Sequence, residues 1–332
     1  MSHRIELEGG GVFDVSADED TLLRGALRAG IGFPHDCSVG GCGNCRFDLV
    51  SGEMETLWPE APGLTERDRR RGKRLACQSR PLGDCVIKVR PADEYRPVVA
   101  PVRRTARLVA KTAITPEMSE FVFAADGPAT FAPGQYGLLR PPSVAGVRAY
   151  SMSNLPNGTG EWRFVVRRVP GGRGSNALFD DVAIGDAIAL DAPYGHAHFR
   201  EAETRDVVLI AGGSGIGPIV SIARAALAAE PKRRVIVFEG ARTRADLGFA
   251  RLMGADVGDV AYTPVLSAEP EGSDWGGARG FVHAAVEADL ADRAQACEFY
   301  FAGPPPMIEA LQDLLIMRWT VPVGRIHYDR FF

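Results

Sequence analysis

Apolar and polar positions alternate from residue 5 to 15 around Gly9, Gly10 and Gly11, which predicts a β-hairpin at the start of the chain. Asp18 and Asp20 stand where a short helix through Leu22, Leu23, Ala26 and Leu27 needs a cap, and Gly30 and Gly32 lie beyond its end. A glycine- and cysteine-rich loop at 37–45 follows, with strands predicted at 46–50 and 85–89. Pro91, Pro97 and Pro101 then break the pattern, so a linker is expected at 93–102. From 103 to 200 short β-rich runs, at 107–110, 119–124, 136–140 and 162–168, are separated by turn residues, the texture of a barrel or sandwich. Beyond 201 strand and helix alternate: strands at 206–211, 235–238 and 299–302, helices at 219–229, 281–290 and 307–317. That order predicts a parallel sheet covered by helices.

The fold class expected is therefore multidomain: a small α+β domain over 1–92, a linker over 93–102, an antiparallel β-barrel over 103–200 and an α/β domain over 201–332. A length of 332 residues agrees, being too great for one uninterrupted core. Hydrophobic residues at 45% and charged residues at 24% exclude a disordered chain or a fibre. The net charge of −4 gives no global attraction to phosphate backbones, so no nucleic-acid partner is expected. The opening MSHRIELEGGG lacks a basic flank and an apolar run, and no stretch approaches the roughly 18 apolar residues of a membrane span; a cytoplasmic location is expected.

Six cysteines are too few for a secreted disulfide scaffold, yet three fall within nine positions. Cys37, Cys42 and Cys45 follow C-x4-C-x2-C, and 31 residues intervene before Cys77. Four thiolates suit two irons, and the glycines of GGCGNC let backbone amides turn toward sulfur. A structural zinc site competes, although zinc more often takes two C-x2-C knuckles and only one is present. Cys85 and Cys297 sit in apolar surroundings and are assigned to packing. The run 66–74 holds six basic and two acidic residues, and stands either as a solvated surface or as a docking patch for an acidic redox partner. HDCSVGGCGNC and LACQS resemble the plant-type 2Fe-2S ferredoxin pattern across about residues 1–92, which implies a β-grasp fold with Cys37, Cys42, Cys45 and Cys77 as the metal ligands.

FAPGQY at 131–136, RAYSMSN at 148–154 and PGGRGSNALF at 170–179 supply what an anionic dinucleotide needs: positive charge, close backbone approach and an aromatic bed. Arg148 can reach a pyrophosphate, Tyr150 can lie against a flavin ring, and Ser151 can hydrogen-bond near its reactive nitrogen, so Tyr150 and Ser151 are the catalytic candidates. Met152 and Ser153 are included with them as cofactor-binding candidates, while Val165 and Val166 are assigned to packing. These motifs resemble the flavin domain of the ferredoxin-NADP reductase superfamily. The resemblance implies a six-stranded antiparallel barrel holding FAD, with Gly171, Gly172 and Ser175 near the pyrophosphate.

VVLIAGGSGIGP runs from an apolar strand through Gly212, Gly213, Gly215, Gly217 and Pro218 into a helix, a setting in which phosphate meets backbone amides at a helix N-terminus. It is not G-x-G-x-x-G, and by itself also fits a tight turn. Its context resembles the nucleotide domain of the same superfamily, where FAGPPPM matches the second nicotinamide loop at Gly303, Pro304 and Pro305; Ala302 stands where many relatives have cysteine. Glu239 follows Gly217 by 22 residues, the interval at which a carboxylate meets a ribose hydroxyl and opposes a 2′-phosphate. Arg242, near it, either favours that phosphate or faces solvent, and on balance NADH is expected. Met307 and Ile308 are assigned to the packing of a helix. In IHYDRFF the same resemblance implies that Phe331 or Phe332 covers the flavin face, the competing reading being an apolar tail packed into the core.

A hydride carries two electrons and an iron-sulfur cluster accepts one, so flavin between them joins the three sites into one path. The order of modules resembles the NADH-dependent reductase component of bacterial multicomponent oxygenases, of the aromatic or diiron monooxygenase type. That resemblance implies a separate hydroxylase or Rieske-type ferredoxin as electron acceptor. A reductase serving a deoxysugar dehydratase, or a non-catalytic iron-sulfur redox-sensing module, are the alternatives carried forward.

Overall fold

The computed structural model describes residues 2–331, which divide into two compact units: 2–103 with 191–196, and 104–190 with 197–331. In the first unit, β1 (Ser2–Leu7) and β2 (Val12–Ser16) form an antiparallel hairpin with Ile5 opposite Phe13. Alternation turns Ile5, Leu7, Phe13 and Val15 to one side, and α1 (Leu22–Arg28) lays Leu22, Leu23, Ala26 and Leu27 into the same core. The helix cap differs from expectation. Thr21, not Asp18 or Asp20, has the extended backbone just before the helix, and its hydroxyl accepts from the Arg24 amide at 3.3 Å. Asp20 bonds the Arg24 side chain at 2.7 Å and Asp18 the Ser16 hydroxyl.

Strands β3 (Arg46–Ser51), β4 (Met54–Thr56), β5 (Lys73–Leu75), β6 (Ser79–Pro81) and β7 (Cys85–Lys88), with the short α2 (Glu66–Arg70), complete the unit. The main sheet runs β2-β1-β7-β3-β5, with β1 and β7 parallel, and β4 pairs with β6 separately. Residues 191–196 belong with this unit because Asp191 accepts from Arg28 at 2.7 Å, and Arg28 in turn lies 3.2 Å from Glu19. In the expected linker 93–102 a single turn at Asp93–Tyr95 is followed by residues without regular structure up to the strand that begins at Val102.

The next six strands are β8 (Val102–Ala113), β9 (Met118–Ala125), β10 (Tyr136–Arg140), β11 (Arg148–Ser151), β12 (Glu161–Arg167) and β13 (Ala187–Tyr194), with α3 (Arg173–Asp180) before the last. Their order is β11-β10-β13-β8-β9-β12. The two outer strands meet: Met152 bridges Phe164, and the Ser153 amide donates to the Arg163 carbonyl at 2.8 Å, so the sheet closes on itself and leaves few free edges. Leu108, Phe121, Phe123, Leu138, Trp162 and Phe164 fill the interior.

The remaining elements are β14 (Asp206–Gly212), α4 (Ile216–Ala228), β15 (Val235–Ala241), α5 (Phe249–Met253), β16 (Ala261–Leu266), β17 (Ala278–Arg279), α6 (Val282–Leu290), β18 (Cys297–Gly303), α7 (Pro305–Gln312) and β19 (Ile326–Arg330). They build a parallel sheet in the order β17-β16-β15-β14-β18-β19. Val207, Leu209 and Val237 face one core with α4 and α5, while Val208, Ile210, Ile236 and Phe238 face a second with α6 and α7. Both faces are thus covered, which explains the continuous apolar runs. Ile114, Met118 and Val165 of the barrel join the first of these cores, so the barrel and the parallel sheet form one unit. The helix predicted at 307–317 ends earlier: after Gln312 the turn widens and Trp319 donates to Leu314 at 2.9 Å.

Candidate functional site

The cysteine loop offers sulfur acceptors to backbone donors. Cys37 Sγ accepts from the amides of Gly41 and Cys42, each at 3.3 Å, and Cys42 Sγ accepts from Asn44 at 3.5 Å. A hydrogen bond from Cys42 lowers the Cys37 thiol to about 7, and the same bond pushes Cys42 upward. Cys45 and Cys77, both buried, lie 3.3 Å apart between their sulfurs. The thiols thus meet as two pairs, Cys37 with Cys42 and Cys45 with Cys77. Two pairs suit two irons, whereas a single zinc requires four thiols around one centre. The donor set fits a 2Fe-2S cluster. Cys85 and Cys297 are buried elsewhere, bonded to backbone carbonyls at 3.3 and 3.4 Å.

Neighbours that sequence reasoning missed frame this loop. A Cβ on Gly40 would stand 3.1 Å from the Trp58 ring, 3.2 Å from Gln78 and 3.4 Å from Ala61. Leu57 N donates to the Gln78 carbonyl at 2.9 Å, and Gly63 N to the Gly40 carbonyl at 2.9 Å. Residues 57–63 therefore brace both cysteine-bearing segments, a role with no motif to announce it.

In the barrel, alternation along β11 places Arg148 and Tyr150 on one face and Ser151 on the other. Arg148 runs across the first turn of α3, where a Cβ on Gly174 would stand 2.6 Å from its Cγ and 2.7 Å from its Nε. Helix α3 starts at Gly172 without a side-chain cap, leaving its first amides beside that guanidinium, a combination that suits an anion. Gly174 was not a sequence candidate; its signal was the third glycine of GGRG. Burial pushes the half-buried Tyr150 phenol up to about 12, so it stays neutral. Arg148, the Gly171–Gly172 turn, Gly174 and Tyr150 form a cradle of the kind a flavin dinucleotide requires.

Three candidates in this region are otherwise occupied. Met152 is wholly buried and its amide donates to Gln135 at 3.0 Å, and Ser153 bonds Glu120 at 3.1 Å; both close the barrel instead of lining a surface. Ser175 donates to the Gly172 carbonyl at 3.3 Å and accepts from Val169 at 3.2 Å, so its hydroxyl ties the loop that precedes α3.

The two glycine loops of the parallel sheet leave from the carboxyl ends of neighbouring strands, β14 and β18. They touch so closely that a Cβ on Gly215 would stand 2.0 Å from the Ala302 carbonyl oxygen. Met307 fills the space over Gly212, where a Cβ would meet its sulfur at 2.6 Å. Gly215 caps α4 with no side-chain bond, and the Ile216 amide donates back to the Gly213 turn, so a helix N-terminus flanked by Gly213, Gly217 and Pro218 stands where a phosphate could approach backbone. The carbonyl of Ser151 is 3.6 Å from the place a Cβ on Gly217 would take, bringing the flavin strand to the first turn of α4. Gly303, Pro304 and Pro305 lead into α7, and Phe331 N donates to the Gly303 carbonyl at 2.9 Å. The tail through Arg330 is strand β19, packed along β18; Phe332 lies outside the described residues.

Glu239 is bonded within the protein. It is 2% exposed, and its carboxylate accepts from the amides of Gly248 at 2.8 Å and Phe249 at 3.3 Å and from the Tyr262 hydroxyl. Its oxygens tie the start of α5 to the sheet. Arg242 lies exposed just past β15, the solvent-facing alternative.

Thiol pairs, a basic cradle on a closed barrel and twin glycine loops at the ends of parallel strands define an iron-sulfur flavoprotein reductase. Family models place a 2Fe-2S iron-sulfur cluster binding domain at residues 5–82, an oxidoreductase FAD-binding domain at 105–199 and an oxidoreductase NAD-binding domain at 209–313. The chain is 41% identical over 316 residues, 94% of each chain, to the ferredoxin–NAD(P)(+) reductase CarAd of Metapseudomonas resinovorans. It is 36% identical to the ferredoxin–NAD(+) reductase component of the alkene monooxygenase system of Xanthobacter autotrophicus, over 98% of this chain and 100% of the other. The solved ferredoxin reductase of carbazole 1,9a-dioxygenase superposes with a TM-score of 0.93 at 36% identity, covering 100% of this chain and 99% of that one. The chain belongs to the family of NADH-dependent ferredoxin reductase components of bacterial multicomponent oxygenases. Among the described residues no helix is long and apolar enough to cross a membrane.

Proposed function

We propose that this chain draws electrons from NADH and delivers them singly to the hydroxylase or Rieske-type ferredoxin of an oxygenase acting on an aromatic or hydrocarbon substrate. One observation carries the reading: the thiol pairs, the Arg148 cradle and the twin glycine loops occur on one chain that aligns with such reductases over nearly its whole length. When bound, FAD supplies the conversion between a two-electron hydride and single electrons.

The residues have separate tasks. Arg148 and the amides at the start of α3 neutralise the FAD pyrophosphate, and Tyr150 supports the ring. The start of α4, with Gly213 and Gly215 before it and Gly217 in its first turn, receives the nicotinamide dinucleotide, and the Gly303–Pro305 loop limits where its ring can lie. Cys37, Cys42, Cys45 and Cys77 hold the cluster, with amide donors on Cys37 and Cys42 tuning its potential. No disulfide joins any of the six cysteines and the reductant is NADH, which support a cytoplasmic location.

Anaerobic addition of NADH to purified protein should bleach a flavin absorbance and then produce the paramagnetic signal of a reduced 2Fe-2S cluster. Failure of NADH to reduce either centre overturns the reading.

A further inference from the structure

Trp58 is 43% exposed although its ring packs on Gly40 of the cysteine loop, beside Gln78 and next in chain to Leu57, itself 38% exposed. Single apolar side chains at a surface are ordinary, but tryptophan and arginine are both enriched where proteins meet. The ring sits where the two cysteine-bearing segments come together, since Gly40 lies between Cys37 and Cys42 while Gln78 follows Cys77.

The surroundings are basic. Residues 57–74 hold six basic and three acidic side chains, against a net charge of −4 for the whole chain, and the loop 37–45 carries no charge. Several of the basic groups are committed. Arg69 donates to the carbonyls of Pro59 at 3.2 Å and Ala61 at 2.8 Å and so fixes the loop bearing Trp58, Lys73 pairs with Asp48 at 2.7 Å, and Arg74 bonds Thr56 at 2.8 Å. Asp68 is answered by Arg46 at 3.2 Å. Arg67, Arg70 and Arg71 remain exposed on α2 and just after it, with only a 4.0 Å approach of Arg70 to Glu66. Three outward guanidinium groups, on and just after the helix whose Arg69 holds the Trp58 loop, exceed what the fold of α2 uses.

We infer that Trp58 and Leu57, together with Arg67, Arg70 and Arg71 of the adjoining α2 segment, form the docking surface for the electron-acceptor protein, and that the acceptor presents an acidic face around its own redox centre. This rests on the electron-delivery function above and adds to it the place and the charge of the encounter. Arginines steer the acceptor from a distance, and the indole, desolvated on contact, holds it over the cluster loop.

The test uses the full holoprotein, NADH and three acceptors under anaerobic conditions: a purified Rieske-type ferredoxin of net negative charge, basic cytochrome c, and ferricyanide. In the double variant Arg67→Glu/Arg71→Glu, the KM for the acidic ferredoxin should rise about tenfold at low salt and its salt dependence should flatten, while reduction of cytochrome c quickens. Ferricyanide reduction should remain within about twofold of wild type, as should the flavin and cluster spectra. Damage to the fold would slow both proteins alike, so opposite shifts isolate the charge. Trp58→Ala should slow ferredoxin reduction even at high salt, with Trp58→Phe restoring most of it. Unchanged KM and salt dependence in the charge-reversed protein overturn the surface alone. Wild-type protein that reduces ferricyanide but neither protein acceptor overturns the delivery function and the surface together.

Discussion

The Glu239 carboxylate receives the Gly248 amide at 2.8 Å, a bond between the end of one strand of the parallel sheet and the start of the next helix. A carboxylate at the tip of this strand is therefore structural in the present chain. Burial raises its pKa, against the opposing help of the Gly248 and Tyr262 bonds. A raised carboxylate destabilises the fold as pH climbs from the unfolded value of 4.5 through the folded one, and contributes nothing unfavourable below that window.

Glu239→Gln should keep an acceptor for the two amides and leave the KM for NADH and the preference over NADPH within about twofold, while flattening stability against pH just above 4.5. Glu239→Ala should cost roughly 2 kcal/mol of stability through the orphaned donors, again without changing cofactor preference. Thermal melts across pH and steady-state kinetics with both nucleotides check this; a selective shift toward NADPH contradicts it.

Replacing Cys42 or Cys77 with serine removes one member of a thiol pair. The cluster's visible bands and paramagnetic signal should disappear while NADH still bleaches flavin, because the flavin and nicotinamide elements fold in the other compact unit. Stopped-flow absorbance on each variant separates the two events.

Gly174→Ala puts a Cβ 2.6 Å from Arg148 Cγ, and that atom lies too near the backbone to swing aside easily. FAD affinity should fall roughly tenfold to a hundredfold, the range expected when a charged hydrogen bond is displaced, and Arg148→Ala should fall in the same range. Titration of apoprotein with FAD by fluorescence quenching measures both.

Gly215→Ala is more severe, because the opposing atom is the Ala302 backbone carbonyl at 2.0 Å and neither strand can yield without disturbing the sheet. A loss of several kcal/mol is expected, with NADH reduction of flavin abolished at temperatures where wild type is stable. Gly217→Ala, whose nearest neighbour would be 3.5 Å away, should fold normally and serves as its control.

The sequence made the architecture readable where local chemistry is its own signal. The C-x4-C-x2-C spacing, the apolar strand entering GGSGIG and the RAYS strand all occupy the expected elements, since thiols, glycines and alternation act over a few residues. The parts that were not readable depend on where the backbone points. Ser153 and Ser175 turn their hydroxyls to Glu120 and Gly172, and Glu239 accepts from the Gly248 amide, bonds that no residue interval announces. Thr21 displaced Asp20 as a cap through a one-residue difference in where the helix begins. Trp58 had no pattern at all, because its importance comes from Gly40 and Gln78, distant in the chain.

The hydrogen bond from Phe331 to Gly303 ties the carboxyl end of the polypeptide to the loop that borders the hydride-donating nucleotide. Engineering must respect that tether. An insertion between Arg330 and Phe331 would break that bond and loosen the loop, so changes meant to tune the nucleotide site are best kept clear of it.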